Sequence, residues 1–106
     1  MAAPYSVRLL AKHDAVLGDE ATYTVPPGKV VIVRDIDLYS GQILGNTALV
    51  VQQLSPEVVF FQASWGVDEL GWRSWRGRQV LYAGDTLVAW GNRVLDVIAS
   101  GYLLDA

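Results

Sequence analysis

The chain has no cysteine, so neither disulfide bonds nor thiolate metal sites can support its fold, and stability has to come from a packed apolar core. It has a single histidine, His13, in the polar stretch Lys12-His13-Asp14. One imidazole cannot furnish a zinc or cupin-type metal site, which needs several. A Ser-His-Asp triad would need His13 as its base, yet no Gly-x-Ser-x-Gly elbow occurs, and the Ser-Trp and Ser-Gly contexts carry no nucleophile signature. Phosphate-cradling Gly-x-x-x-x-Gly-Lys loops are missing too. Asp35 and Asp37 share a strand face, as the paired carboxylates of a glycosidase might, but two aspartates at this spacing are expected to line a wet face or to meet Arg34 or Arg93. No cofactor, metal or catalytic residue is therefore expected, and the protein is not expected to be an enzyme.

Long apolar runs are absent as well. None approaches the roughly 18 to 20 residues a membrane helix needs. The opening MAAPYSVRLLAKHD lacks the basic region and continuous apolar block of a signal peptide, so synthesis in the cytoplasm as a soluble chain is the expectation. Charge is scarce: 18% of residues are charged, against a usual share of about 25%. The net charge of -3 argues against a general nucleic-acid binder, whose affinity rests on neutralising phosphates.

What is plentiful is apolar surface, 52% of the residues. A charge-poor, aromatic-rich chain of 106 residues suits one compact domain and is expected to hide part of its surface in an assembly. From Ala21 onward the apolar residues fall in short β-branched or aromatic runs: ATYTV, KVVIVRDIDLY, TALVVQQL, EVVFFQASW, WRSWRGRQVLY, TLVAW and RVLDVIASGYLL. Turn residues separate them, at Pro26-Pro27-Gly28, Gly45-Asn46, Ser55-Pro56, Gly66, Ala83-Gly84-Asp85 and Gly91-Asn92. Spacing of about 8 to 12 residues marks an all-β sandwich or barrel. Gly84-Asp85 and Gly91-Asn92 read as two-residue hairpin loops with glycine first. The Pro-Pro-Gly turn reads as a hairpin or a sheet corner, and Val58 to Phe61 as strand rather than helix. Excursions from the sheet are expected at Ser40 to Asn46 and at Gly66 to Gly71.

Alternation is imperfect in several runs. After the Pro-Pro-Gly turn, Val30, Ile32, Ile36 and Leu38 fall on one side, while Val31, Val33 and Tyr39 share the other with Asp35 and Asp37. In the last run Leu95, Val97, Ala99 and Leu103 oppose Val94, Ile98, Tyr102 and Leu104. A two-layer sandwich buries one face per sheet, so apolar groups on the second face point to a partner.

The densest feature is GWRSWRGRQVLYAGDTLVAW, Gly71 to Trp90. As a strand, Trp72, Ser74, Arg76, Arg78, Val80 and Tyr82 point one way, and Arg73, Trp75, Gly77, Gln79 and Leu81 the other, with Gly77 expected at a bulge. Tryptophan and arginine are the residues most enriched at interface hot spots. The candidate interface residues are Trp65, Trp72, Arg73, Trp75, Arg76 and Arg78. Stacking of exposed indoles on sugars is the alternative use of the same residues, with Trp65, Trp72 or Trp75 as platforms.

The stretches TVPPGKVVIVRDIDLY, WRGRQVLYAGDTL and DVIASGYLL together resemble the small virion proteins of tailed bacteriophages, over about Thr22 to Leu104. The resemblance implies a compact, single-domain β-sandwich or jelly-roll-like fold over residues 1–106, of about seven to eight antiparallel strands. It also implies a non-enzymatic structural role in the virion, decorating or cementing the capsid or forming part of the tail. The partners it implies are copies of the same chain, with a trimer as the favoured closed form, and the major capsid or tail proteins, with neither nucleic acid nor membrane involved.

Overall fold

The β-branched and aromatic runs do form strands. The computed structural model describes residues 6–53 and 57–106 and contains β1 (Val7–Ala15), β2 (Ala21–Thr24), β3 (Lys29–Ser40), β4 (Asn46–Gln53), β5 (Val58–Trp65), β6 (Gly71–Tyr82), β7 (Thr86–Gly91) and β8 (Leu95–Asp105). All seven runs expected from Ala21 onward are strands. Only β1 escapes the sequence pattern, because two register shifts, between Arg8 and Leu10 and between Lys12 and Ala15, break its alternation.

The strands make two four-stranded antiparallel sheets, a front sheet in the order β1-β8-β3-β6 and a back sheet in the order β2-β7-β4-β5. Successive strands lie in opposite sheets except for β4 and β5, which are neighbours. This winding is that of an eight-stranded jelly roll. The hairpins expected at Gly84-Asp85 and Gly91-Asn92 are therefore sheet-to-sheet corners. The local turn at Gly84 is real, with φ of 90° and Asp85 N donating to Tyr82 O at 2.9 Å. But the chain leaving it pairs with β2 and β4 instead of returning along β6. The Pro-Pro-Gly turn is also a corner, joining β2 in the back sheet to β3 in the front sheet. Turn chemistry sets a few φ values; it does not choose the strand that the next segment pairs with.

The apparent two-sidedness of β3 has a local cause. Val33 pairs with Gly101 and Asp35 with Ser100, so Arg34 is one extra residue relative to β8. The bulge flips the phase of the strand: Val31 and Val33 are buried before it, and Ile36, Leu38 and Ser40 after it. On β6, Gly77 and Arg78 lie opposite Arg34, since Val33 pairs with Gln79 and Asp35 with Arg76, which places the irregularity expected at Gly77.

Between the sheets, Val31, Val33, Ile36, Leu38, Leu81, Leu95 and Val97 of the front sheet meet Ala48, Val50, Trp65, Leu87 and Ala89 of the back sheet in one core. Polar ties close both ends. Asn46, 3% exposed, donates to Arg93 O at 3.0 Å and Val94 O at 3.3 Å and accepts from Arg93 N at 3.0 Å. At the other end Gln79 donates to Gln52 (2.8 Å), and Gln52 to the buried Asp85 (2.8 Å), linking β6 to β4 across the layers.

Candidate interaction surface

Among the described residues β6 has a single ladder partner, β3, and forms one edge of the front sheet. Its side chains alternate as the sequence indicates: Trp72, Ser74, Arg76, Arg78, Val80 and Tyr82 are exposed, and the intervening residues are partly or fully buried. The inner face of the strand is thus a core face. Of the six candidate interface residues, Trp72, Arg76 and Arg78 lie on the outer face of the front sheet, while Trp65, Arg73 and Trp75 turn inward. Trp65 is 3% exposed and its indole N–H donates to Gly71 O at 3.0 Å. It cannot serve as a sugar platform or a contact residue, because the end of β5 directs it between the sheets. Arg73 covers its ring, 5.4 Å from the centroid, and is held by Glu69 at 3.0 Å. Trp75 packs against the core.

The outer face of the front sheet falls into three zones. Near the end of β3, Trp72 is 54% exposed, with its ring centroid 5.3 Å from that of Tyr39 and the planes at 55°. In the middle lies a charged zone. Arg76 bridges Asp35 and Asp37, each at 3.0 Å, and Ser74 donates to Asp37 at 2.7 Å. The two aspartates thus meet Arg76, and not Arg34 or Arg93 as the sequence suggested. Arg34, pushed outward by the bulge, donates to the Tyr102 hydroxyl at 3.0 Å and lies 5.6 Å from that ring's centroid; its Nε is buried without a partner. Arg8, whose Cα pairs with that of Ser100, and Arg78 make no ion pair among the described residues. Beyond them the face is apolar: Ile32 pairs with Tyr102 and Val80, and Val30 with Leu104 and Tyr82, and Val80, Tyr82 and Leu104 are exposed. The sequence places Val80 and Tyr82 on one face with Trp72, Arg76 and Arg78, but it does not join them to Val30 and Ile32, since the bulge hides which of the β3 side chains share that face.

A second exposed apolar group lies at one end of the sandwich, on the loops. Leu17 follows β1, Ile43 and Leu44 lie between β3 and β4, and Val67 and Leu70 between β5 and β6; all five are more than half exposed. Asp68 N donates to Ile43 O at 2.8 Å, tying the last two loops together. Around these tips stand Asp19, Glu20, Asp68 and Glu69. The two excursions expected at Ser40 to Asn46 and Gly66 to Gly71 thus carry four apolar side chains that are more than half exposed, beside Leu17 on the neighbouring turn.

His13 lies beside this end. Its Nδ1 is 2.5 Å from Asp96 Oδ1 and its Nε2 is 3.3 Å from Asp14 Oδ2, and Asp14 has a left-handed φ of 58°. The three groups offer atoms within 4.8 Å of one another, and shallow cavities of about 250 and 170 Å³ flank the His13–Asp96 pair. At the opposite end of the molecule, Lys29 hydrogen-bonds to Asp105 and holds its carboxyl below the usual carboxylate range, first through that bond and then through its charge. Burial raises the Tyr23 hydroxyl above its ordinary value.

No known protein family matches the chain, and no curated protein matches it in sequence. Among solved structures the sandwich is similar to that of the Eiger TNF from S. frugiperda, at 14% identity and a TM-score of 0.48, covering 95% of this chain and 87% of that one. No helix among the described residues is long and apolar enough to cross a membrane.

Proposed function

We propose that this chain is a non-enzymatic structural protein of a tailed-phage virion, decorating or cementing the capsid through protein–protein contacts. In this reading it is made in the host cytoplasm, assembles with copies of itself, as a trimer, and docks on a major capsid or tail protein. The observation that carries the proposal is the placement of its surplus apolar surface. Val80, Tyr82 and Leu104 on the front sheet and Ile43, Leu44, Val67 and Leu70 on the loops are exposed, outside the one buried apolar core that the two sheets enclose. Contiguous apolar patches of this kind mark contact surfaces. The resemblance of TVPPGKVVIVRDIDLY, WRGRQVLYAGDTL and DVIASGYLL to phage virion proteins supplies the context.

The test is binding of purified protein to phage capsids, and separately to tails, that lack it, followed by co-sedimentation. Saturable binding to capsids with a fixed number of copies per particle is expected; binding to neither would overturn the proposal.

One observation favours a second reading, a tail module that binds carbohydrate. Trp72 is 54% exposed beside Tyr39, and the hydrogen-bonding groups Ser74 and Asp37 lie in the adjacent row. Quenching of tryptophan fluorescence by millimolar oligosaccharide, lost in Trp72→Ala, would establish it.

A further inference from the structure

We propose that copies of this chain join head to face: the acidic, apolar loop end of one copy docks on the arginine-bearing outer face of the front sheet of the next, generating a closed ring. This rests on the reading of the chain as a self-assembling protein and names the surfaces that do it.

The two surfaces are unlike each other and complementary. The loop end presents Ile43, Leu44, Val67 and Leu70 beside Asp68 and Glu69. Glu69 is paired with Arg73 and Asp19 with Lys12, while Glu20 and Asp68 make no ion pair among the described residues; Arg93, exposed beside Asn46 at the same end, makes none either, so the acids there outnumber the bases by four to three. The front face presents Val80, Tyr82 and Leu104 beside Arg8, Arg34, Arg76 and Arg78. Of the arginines, Asp35 and Asp37 pair only with Arg76, which leaves Arg8 and Arg78 without an ion-pair partner among the described residues, in a chain whose net charge is -3.

A symmetric dimer through the face sets unpaired arginines against unpaired arginines, and one through the loop ends brings together two surfaces that each carry an excess of acid. Like-charge juxtaposition across an interface is costly, and opposite charge gives specificity and register. Joining loop end to face matches apolar with apolar and acid with base at once. A contact between two different patches is heterologous, and it yields a ring where the rotation between copies closes.

The experiment is sedimentation or light scattering on wild type, a loop-end variant (Ile43→Ser with Leu44→Ser), a second loop-end variant (Val67→Ser with Leu70→Ser) and a face variant (Arg78→Glu with Val80→Ser). All three substituted pairs lie on exposed positions, and far-UV circular dichroism is the check that each variant is folded. Wild type is expected to form a closed oligomer that weakens at least tenfold between low and high salt. Each variant alone is expected to be monomeric. An equimolar mixture of a loop-end and the face variant is expected to form one-to-one pairs, because one intact loop end and one intact face remain between them. Variants that keep the wild-type oligomer, a mixture no more associated than its components, or a wild-type protein that stays monomeric at about 100 μM, a concentration at which weak assemblies form, would each overturn the inference. Capsid binding by such a monomer would leave the virion reading standing; a ring without capsid or tail binding would do the reverse.

Discussion

The guanidinium of Arg73 lies over the indole of Trp65, 5.4 Å from the ring centroid, so a pair that composition marks as contact residues closes the inner side of the sandwich. The fold and the surface thus use different tryptophans. Trp65→Ala removes a side chain that is 3% exposed and is expected to cost about 3 to 5 kcal/mol of stability, as large-to-small changes of a buried aromatic do. Trp72→Ala, on the outer face, is expected to stay within about 0.5 kcal/mol of wild type. Urea unfolding followed by circular dichroism separates the two; equal losses would contradict the assignment of faces.

Arg76→Ala breaks an exposed bridge to Asp35 and Asp37. Such pairs contribute about 0 to 1 kcal/mol after solvent screening. The isolated fold is expected to be nearly unaffected, and self-association, read by sedimentation, to weaken. Trp75→Ala is expected to do the opposite, lowering the unfolding midpoint, because its ring packs against the core.

Gly101 pairs with Val33 beside the bulge, and a Cβ there would sit 2.0 Å from Ile32 O. A backbone carbonyl cannot swing away as a flexible side chain can. Gly101→Ala is expected to destabilise by about 2 kcal/mol or more, a loss visible as a lowered melting temperature.

Asn46→Ala strips partners from Arg93 N, Arg93 O and Val94 O, where β8 begins. These groups are only partly buried, so the cost is expected to lie at or below the lower end of the roughly 1 to 3 kcal/mol for an unpaired buried group. Amide hydrogen exchange is expected to quicken at Arg93 to Leu95 in this variant, ahead of global unfolding.

The carboxyl of Asp105 is held down by Lys29. Its folded value lies below its unfolded one, so its contribution to stability is present above the ordinary carboxylate range and is lost as pH falls through the depressed value. NMR titration is expected to find a midpoint below that range, returning to it in Lys29→Ala; an unchanged midpoint in the variant would refute the coupling.

The sequence by itself determined the secondary structure of this protein from Ala21 onward, and which side chains of β6 point together. Both are local properties: β-branched and aromatic runs prefer a pleated strand, glycine and proline punctuate them, and a period of two separates the faces. Ser55-Pro56 lies outside the described residues, but the strand that follows it, Val58–Trp65, is as expected. Alternation does not say which face of β6 meets the core, so it does not separate Arg73 and Trp75 from Trp72, Arg76 and Arg78, nor does it say that the end of β5 turns Trp65 inward. Tertiary structure decided that, along with the corners at Gly84 and Gly91, the bulge that moves Arg34 to the surface, and the meeting of Arg76 with two aspartates some forty residues away in the chain. Those outcomes depend on pairing between distant strands and on closing two sheets over one core. No short window of residues contains that information, because the free energy deciding it comes from surfaces that meet only after the chain has folded.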